Sequence, residues 1–96
     1  MEIKNNQKDG RWEVTDGGRV IAFAEYKSRP DKVTFIHTEV DPDYEGQGIG
    51  SRLARTALDD AVARGVRIAI YCPFIRSYVD RHPEYAKYVD PPKSHA

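Results

Sequence analysis

The first forty residues have the pattern of short β-strands separated by turns. Residues 11–15 are rich in β-forming side chains, and the turn sequence at 16–18 predicts a hairpin after them. Residues 19–26 contain an unbroken apolar run, and residues 33–40 begin with another. Continuous apolarity is typical of strands that are covered on both faces, so we expect that of both segments. Residues 27–32, which include a proline, predict the turn between them.

The period of the pattern changes to that of a helix after residue 48. Between residues 48 and 64 apolar side chains recur every three or four positions, and charged side chains occupy the other side. Gly65 is suited to end this helix in a left-handed conformation. A short apolar strand over residues 66–71 follows. Pro73 favours the first turn of a second helix, which ends before Pro83.

The order of these elements predicts an α+β fold, with an N-terminal antiparallel meander, a βαβ unit and a C-terminal helix. Residues 2–7 add an edge strand to the meander. The strands at 33–40 and 66–71 flank a helix, so they should be parallel and joined by a right-handed crossover. We expect residues 1–90 to form a single compact domain, because a chain of this length can bury one core. The short, Pro-rich segment 91–96 is expected to be a flexible tail.

Charge and cysteine content narrow the classes of function. The 15 basic and 15 acidic side chains cancel, which disfavours nonspecific nucleic-acid binding. Residues 1–45 carry seven Lys/Arg and ten Asp/Glu, net −3, whereas residues 46–96 carry eight and five, net +3. This asymmetry is either ordinary fluctuation or the mark of a polyanionic ligand on the second half.

Membrane attachment, metal binding and secretion are not indicated by the sequence. No apolar run approaches the ~20 residues that span a bilayer, and no secretory signal is recognisable. The single cysteine, Cys72, excludes an internal disulfide and a multi-cysteine zinc site, and three scattered histidines have no ligand spacing. We therefore expect a cytoplasmic protein without a metal, as a monomer or a weak dimer.

Three glycines at alternate positions mark the most informative segment of the chain. Gly46, Gly48 and Gly50 follow a predicted strand and enter the first turn of the helix. Glycine in a helix costs about 0.5–1 kcal/mol relative to alanine, so close approach of another group is a reason to keep it. Free amides and the positive dipole end at a helix N-terminus bind anions such as phosphate. A tight strand-to-helix connection is the alternative. The spacing fits neither a dinucleotide fingerprint nor a P-loop.

The segment from Val40 to Leu53 resembles motif A of the GNAT acetyltransferases, whose pattern is Arg/Gln-x-x-Gly-x-Gly/Ala. Further similarity lies at 37–40, 72–74 and 82–85, and the resemblance covers nearly all of the chain from Trp12 to Tyr88, closest to a small YjdJ-type subfamily. It implies a GNAT-like mixed sheet with splayed parallel strands, and acetyl-coenzyme A (acetyl-CoA) as donor co-substrate. By the same resemblance the cofactor-binding residues are Val40, Gly46, Gln47, Gly48, Ile49, Gly50 and Ser51.

One position departs from the motif. Glu45 stands where the family has Arg or Gln. A carboxylate beside a pyrophosphate is unfavourable unless it points away or pairs with Arg52 or Arg55. The backbone amides from Gln47 to Ser51 do not depend on that side chain, so we still expect this segment to bind the pyrophosphate.

Acetyl transfer from a thioester to an amine needs a donor for the oxyanion and a fate for the leaving thiolate. The resemblance assigns the oxyanion donor to the backbone N–H of Val40. Cys72 precedes a helix, where a thiol is more reactive, and it is either transiently acetylated, or orients the thioester, or is a small buried hydrophobe. Tyr78 resembles the family's tyrosine that protonates the leaving thiolate, and the alternative is a core tyrosine.

Two strand residues are candidates for the base. His37 and Glu39 share one face of a strand by its period of two, and either can take a proton from the amine through water. Each is otherwise a satisfied polar residue at a strand end. His82 is better explained as a helix terminator than as a base.

Together these observations predict an N-acetyltransferase that uses acetyl-CoA and transfers acetyl to an unidentified primary amine. Residues 11–40 leave no room for the helices that shape the acceptor pocket in most GNAT proteins, so the acceptor side should be open to a peptide, a protein lysine or a small amine. A noncatalytic acyl-CoA binding or sensing module is the alternative, and a small interaction domain with a purely structural glycine turn is a third hypothesis.

Overall fold

The computed structural model describes residues 1–91, so the predicted tail at 91–96 lies outside the described residues except for Pro91. Two short 3-10 helices, at Pro42–Tyr44 and Pro83–Tyr88, accompany the main elements. The strands are β1 (Glu2–Asn6), β2 (Arg11–Asp16), β3 (Arg19–Arg29), β4 (Lys32–Val40) and β5 (Arg67–Ile70), and the helices are α1 (Ile49–Arg64) and α2 (Pro73–Arg81).

The five strands form one sheet in the order β1-β2-β3-β4-β5. Neighbours are antiparallel up to β4, whereas β4 and β5 are parallel and joined through α1. The α+β meander followed by a βαβ unit is therefore confirmed. Gly17 and Gly18 form the predicted hairpin turn, with φ angles of 57° and 81° that suit glycine. The turn predicted over 27–32 is shorter, because β3 continues to Arg29 and β4 begins at Lys32.

An irregularity in strand pairing decides which side chains of β4 face the helices. Ala24 pairs with Thr38, but Tyr26 pairs with Phe35, so β4 carries one more residue than β3 between these pairs. Such a bulge shifts the alternation of side chains by one position. Phe35, Thr38 and Val40 consequently lie on the same face of the sheet although their spacing in sequence is uneven.

Both helices pack against this one face. They contact each other, and α1 contacts β2, β3 and β4 while α2 contacts β4 and β5. The buried stripe of α1 includes Leu53, Ala57 and Leu58, and the helix ends as predicted at Gly65, which has a φ of 72°. Burial of this stripe makes the largest contribution to the free energy that holds the helix on the sheet.

The expectation that β3 and β4 are covered on both faces is wrong. Val20 is 37% exposed, and no helix of residues 1–91 covers the second face. Phe23 is shielded there by side chains of the sheet itself: the Arg11 guanidinium lies 4.7 Å from its ring centroid and the His37 ring lies 6.1 Å away. Apolar residues on this face therefore pack laterally rather than under a second layer, and we call it the open face.

The C-terminal segment fastens to the free edge of β5, which the sequence did not indicate. Val89 forms a parallel bridge with Ile68. The carboxylate of Asp90 lies 2.7 Å from Lys32 and 2.9 Å from Arg67. Hydrogen bonds from Lys32 and then Arg67 lower the pKa of Asp90. Within residues 1–91, neither helix has the length and apolarity that crossing a membrane requires.

Candidate functional site

The parallel strands β4 and β5 separate halfway along β4. Their pairing ends at Phe35 and Ile70. The Phe35 carbonyl accepts hydrogen bonds from the amides of Tyr71 at 2.8 Å and Cys72 at 3.2 Å, and β5 then gives way to α2. The predicted splay of the two strands is confirmed, and no strand of residues 1–91 pairs with the last part of β4, residues 36–40, on that side.

A cavity of about 370 Å³ lies between this part of β4, the glycine segment and the start of α2. We call it the glycine-turn cavity. Every residue predicted to bind the cofactor lines this cavity except Gln47. Its lining residues are Thr38, Val40, Tyr44, Glu45, Gly46, Gly48, Ile49, Gly50, Ser51 and Phe74.

Gly48 lies at the start of α1 and lines this cavity. It is the N-cap residue, with a left-handed φ of 73°, and it contributes no capping side chain. The amides of the first turn therefore have no side-chain acceptor from the cap and are available to an anion. A Cβ at Gly48 would meet nothing within 4 Å, so the space above this residue is open.

Gly50 has a different purpose, because it lets the ring of Phe74 approach α1. A Cβ on Gly50 would lie 2.6 Å from the Cζ atom of Phe74. Gly46 and Gly48, in contrast, adopt positive φ values of 82° and 73°. Each of the three glycines thus has a local structural reason, and a tight connection explains them as well as a ligand does. The cavity and the uncapped first turn of α1, rather than the glycines alone, indicate a ligand.

The acidic departure from the motif lies directly at the cavity. Glu45 lines it and has no ion-pair partner among residues 1–91. The suggested pairing with Arg52 or Arg55 is absent from that part of the chain, since Arg55 lies 3.8 Å from Asp59. Glu45 therefore adds an uncompensated negative charge to the rim of the cavity.

Tyr44 closes one side of the same rim. Its hydroxyl donates a 2.6 Å hydrogen bond to the carboxylate of Asp16 in the hairpin. This hydrogen bond raises the pKa of Tyr44, so the phenol stays protonated. The contact ties the glycine segment to the β2–β3 turn.

Cys72 and Thr38 meet across the split between the strands. Cys72 is the N-cap residue of α2 and is 1% exposed. Its sulfur lies 3.2 Å from the hydroxyl oxygen of Thr38, which lines the glycine-turn cavity. Sequence reasoning missed Thr38, because its place opposite Cys72 follows from the bulge in β4. The polar position after His37 at the end of an apolar strand is the signal that was available.

His37 and Glu39 lie together as predicted, on the open face. The Nε2 atom of His37 is 3.2 Å from a carboxylate oxygen of Glu39, and the side chains are 53% and 61% exposed. Glu39 lines a second cavity of about 340 Å³, the open-face cavity. Its lining residues are Arg11, Val20, Ile21, Ala22, Phe23, Glu39, Val40, Asp41 and Pro42. Val40 lines both cavities.

The open face also holds a buried carboxylate that the sequence did not single out. Glu13 is 4% exposed and accepts hydrogen bonds from Arg11 at 2.6 Å and Asn6 at 3.1 Å. Burial alone raises the pKa of Glu13, but the hydrogen bonds outweigh it, and the pKa is lowered overall. The hydrogen bond to Glu13 thereby fixes the Arg11 guanidinium, which lies over the Phe23 ring.

Tyr78 lies apart from Cys72 and from the His37–Glu39 pair. Its ring stacks on His82 at a centroid distance of 4.0 Å, and His82 ends α2 as predicted. Both residues border an open groove of about 440 Å³ between α1 and α2, which we call the arginine groove. Its lining residues are Ser51, Arg52, Arg55, Tyr78, Arg81 and His82. Ser51 also lines the glycine-turn cavity, so the groove continues from it.

Metal coordination has no ready site in the described part of the chain. No group of three or more His, Cys, Asp or Glu side chains is arranged to hold an ion between residues 1 and 91. The glycine-turn cavity is lined by glycines with hydroxyl, aliphatic and aromatic side chains and one carboxylate, and the arginine groove mainly by arginines and rings.

Two curated proteins are similar to this chain in sequence. Protein NATD1 of Gallus gallus is 29% identical over 96 residues, which are 95% of this chain and 86% of that protein. The [ribosomal protein bS18]-alanine N-acetyltransferase of Escherichia coli (strain K12) is 36% identical over 55 residues. That alignment covers 57% of this chain and 37% of the relative.

Solved structures have the same fold. A GCN5-like protein from Staphylococcus aureus has a TM-score of 0.71 and 21% identity, over 98% of this chain and 92% of that one. A protein from Clostridium acetobutylicum, solved with acetyl-CoA, has a TM-score of 0.56 and 14% identity, over 90% and 61%. The family model described as GCN5-related N-acetyl-transferase matches residues 11–88. The chain therefore belongs to the GNAT family of N-acetyltransferases.

Proposed function

We propose that this protein is an N-acetyltransferase that binds acetyl-CoA in the glycine-turn cavity and acetylates a primary amine. One observation carries the proposal: a single cavity joins the free first-turn amides of α1 to the split between β4 and β5. An extended ligand with a pyrophosphate at one end and a thioester at the other fits such a path. The acetyl-CoA bound to a structural neighbour supports this choice of co-substrate.

The cofactor would be held mainly by backbone groups. The pyrophosphate would accept hydrogen bonds from amides of the segment Gly46 to Ser51, helped by the positive end of the α1 dipole. The pantetheine arm would lie along the end of β4 at Val40, on the side opposite β3, where no strand of residues 1–91 pairs with it. The thioester would then reach the split beside Thr38.

We propose direct transfer rather than an acetylated enzyme. The amine nitrogen attacks the thioester carbon, the carbonyl oxygen becomes an oxyanion, and the carbon–sulfur bond breaks as the amide forms. The backbone N–H of Val40 would stabilise the oxyanion. The 1% exposure of Cys72 supports this route, because a nucleophile must reach the thioester.

The reaction also needs two proton transfers, and we assign them to groups on the two faces of the sheet. Tyr78 is proposed to protonate the leaving thiolate of CoA, as its resemblance to the family's tyrosine on this helix implies, and its hydroxyl forms no hydrogen bond with another side chain of residues 1–91. The proton lost by the amine would pass to His37 or Glu39, directly or through water. Their exposure on the open face suits contact with an incoming amine.

The acceptor would approach from the open face. The open-face cavity meets the cofactor cavity at Val40, and no helix of the described residues covers it. Glu39 gives it an exposed carboxylate that attracts an ammonium group, whereas Asp41 pairs with Arg19 at 3.3 Å. An acceptor on a peptide or protein is supported by the Escherichia coli relative, which is named for acting on an alanine of ribosomal protein bS18.

Other parts of the proposal concern the chain as a whole. We propose a single domain over residues 1–90, supported by one core cluster that draws on both helices and on β2 to β5. A place in the YjdJ-type subfamily is supported by similarity over nearly the whole chain to a protein of similar length. A cytoplasmic location is supported by the single unpaired cysteine.

A noncatalytic acyl-CoA binding module is the second candidate. The observation that favours it is Glu45, whose uncompensated carboxylate at the cavity rim departs from the family motif. Both candidates require cofactor binding. They differ in turnover, because only an enzyme releases free CoA in proportion to the amine that it acetylates.

The experiment combines binding with an amine screen. Acetyl-CoA at ~100 times its dissociation constant should stabilise the folded protein by about 2.7 kcal/mol, visible as a raised melting temperature. Peptide, lysine and small-amine acceptors are then screened by release of the CoA thiol. A melting temperature unchanged by millimolar acetyl-CoA contradicts both candidates. Binding without turnover of any amine supports the second.

A further inference from the structure

An arginine and a carboxylate line the open-face cavity from the two strands that flank Phe23. Phe23 pairs with Glu13 of β2 on one side and with Glu39 of β4 on the other, so the three side chains form a row across the open face. Arg11 lies two residues before Glu13, on the same face of β2. Its guanidinium lies 4.7 Å from the Phe23 ring centroid, so the side chain extends from β2 toward β3.

Arg11 is held in the cavity wall by a partner that leaves some of its donors unused. Its Nε atom donates a 2.6 Å hydrogen bond to the buried carboxylate of Glu13, whereas the Arg11 side chain itself is 31% exposed. Glu13 is the only carboxylate of residues 1–91 within ion-pair distance of Arg11, and it also accepts a hydrogen bond from Asn6 at 3.1 Å. A guanidinium has five N–H donors in a rigid fork, so one carboxylate does not use them all. The remaining donors are available to a second acceptor, and the side chain is already ordered for it.

The charges around the cavity decide which class of ligand it holds. Asp41 is paired with Arg19 at 3.3 Å, so the exposed Glu39 is the carboxylate available to an ammonium group. Arg11, on the other side of Phe23, repels a second ammonium group, and Glu39 repels a free anion. The cavity therefore suits a ligand that carries an ammonium group and an acid close together, and it disfavours a polyamine.

We propose that Arg11 is a specificity residue that binds a carboxylate next to the amine that is acetylated. This inference rests on the proposed function and narrows its acceptor to an amine with an acidic group nearby, such as a peptide whose second residue is Asp or Glu. Neighbouring strands lie about 4.8 Å apart, so the span from β4 to a guanidinium close to β3 is of the same order as that from an N-terminal amine to the next side chain. The acceptor carboxylate would take charge-assisted hydrogen bonds from the unused donors.

The test uses two peptide acceptors, Ala-Asp-Ala-amide and Ala-Asn-Ala-amide, which differ in one charge and have nearly the same shape. Release of the CoA thiol at saturating acetyl-CoA gives kcat/KM for each peptide. The unaltered protein should prefer the acidic peptide about 3-fold to 30-fold. Arg11→Gln should abolish this preference, and Arg11→Lys, which keeps the charge but loses the fork, should retain only part of it. Arg29→Gln is the matched control, because this arginine of β3 lines a different cavity, and its loss should leave the preference unchanged.

The preference is a ratio of two substrates on one protein, so a loss of folded molecules in a variant cancels. A preference that Arg11→Gln removes and Arg29→Gln does not supports the proposal. Where Arg11→Gln does not fold, a reduced preference in Arg11→Lys supports it and an unchanged one overturns it.

The remaining outcomes separate this proposal from the proposed function. Equal rates for the two peptides, or a preference that persists in Arg11→Gln, overturn the role of Arg11 while turnover itself upholds the acetyltransferase. Turnover of a polyamine but of neither peptide has the same meaning. Turnover of no amine in the acceptor screen overturns the proposed function and the role of Arg11 together.

Discussion

The hydroxyl oxygen of Thr38 lies 3.2 Å from the sulfur of Cys72, at the point where β4 and β5 have separated. The contact joins residues 34 positions apart and closes the inner end of the split. Thr38 faces the glycine-turn cavity, whereas Cys72 is buried behind it. A ligand in the cavity therefore meets the hydroxyl before it meets the thiol.

This order predicts that Cys72 does not carry the acetyl group. Protein incubated with acetyl-CoA and no amine should show no added acetyl mass on Cys72 by intact-mass measurement. Cys72→Ser, which keeps a polar partner for Thr38, should lower turnover only modestly, by less than about 10-fold. A stable acetylated species that disappears in Cys72→Ser would establish the acyl-enzyme route instead.

Tyr78→Phe tests the proposed proton donor. Loss of the hydroxyl should lower turnover about 10-fold to 10⁴-fold, as loss of a general acid can, while acetyl-CoA binding is retained. The measurement is initial rate at saturating acetyl-CoA. Unchanged turnover in Tyr78→Phe would show that Tyr78 is not the proton donor and only lines the groove.

Tyr85→Phe is the matched control for Tyr78→Phe. The Tyr85 hydroxyl donates a hydrogen bond to Asp59 of α1, and burial followed by this hydrogen bond raises the pKa of Tyr85. Its loss should cost about 1 kcal/mol of unfolding free energy. That corresponds to a fall of about 4–8 °C in melting temperature for a domain of this size. Turnover per folded molecule should be unchanged.

The main elements were predictable because their signals are local. The stripe of Leu53, Ala57 and Leu58 predicted α1 and its buried side, and Gly65 predicted its end. The two glycines of the hairpin predicted the β2–β3 turn. In each case the residues that decide the structure lie within a few positions of one another.

The site was less predictable because its geometry depends on how neighbouring strands pair. The bulge in β4 places Thr38 on the same face as Phe35, and the polar position after His37 does not by itself reveal the bulge. Coverage of β3 was misjudged because Phe23 is shielded laterally by Arg11 and His37 rather than by a second layer. Such relations join distant segments and appear only in three dimensions.

Gly50 and Phe74 should be coupled in stability. A Cβ on Gly50 would lie 2.6 Å from the far end of the Phe74 ring, so Gly50→Ala should displace this 38% exposed ring, and the packing lost should offset the ~1 kcal/mol of helix propensity that alanine brings. In a Phe74→Leu background the clash is removed, and the same change should gain up to about 1 kcal/mol of helix propensity. Denaturant unfolding of the four proteins measures the coupling. Equal effects in both backgrounds would contradict the packing role of Gly50.

Glu13 should make stability depend on pH in the acidic range. Its pKa is below the ordinary value of 4.5 in the folded state, so the folded protein holds this proton less tightly than the unfolded chain. The stabilisation is present above the unfolded pKa and is lost as the pH falls through the folded pKa. Between pH 5 and the acid limit of folding, Glu13→Gln should show a shallower loss of unfolding free energy than the unaltered protein. Parallel curves for the two proteins would rule out this contribution.

Glu45→Gln should strengthen acetyl-CoA binding. Glu45 lines the cavity beside the proposed pyrophosphate site, and no cation of residues 1–91 compensates it. Removing a repulsion of this kind predicts a gain of about 2-fold to 10-fold in affinity, larger at low salt because screening is weaker. Asp43→Asn is the matched control: it removes the same charge two residues away, from a side chain that does not line the cavity. Titration calorimetry at two salt concentrations measures the acetyl-CoA affinity of both variants and of the unaltered protein. A larger gain for Asp43→Asn than for Glu45→Gln would show that net charge, rather than the carboxylate at the rim, sets the affinity.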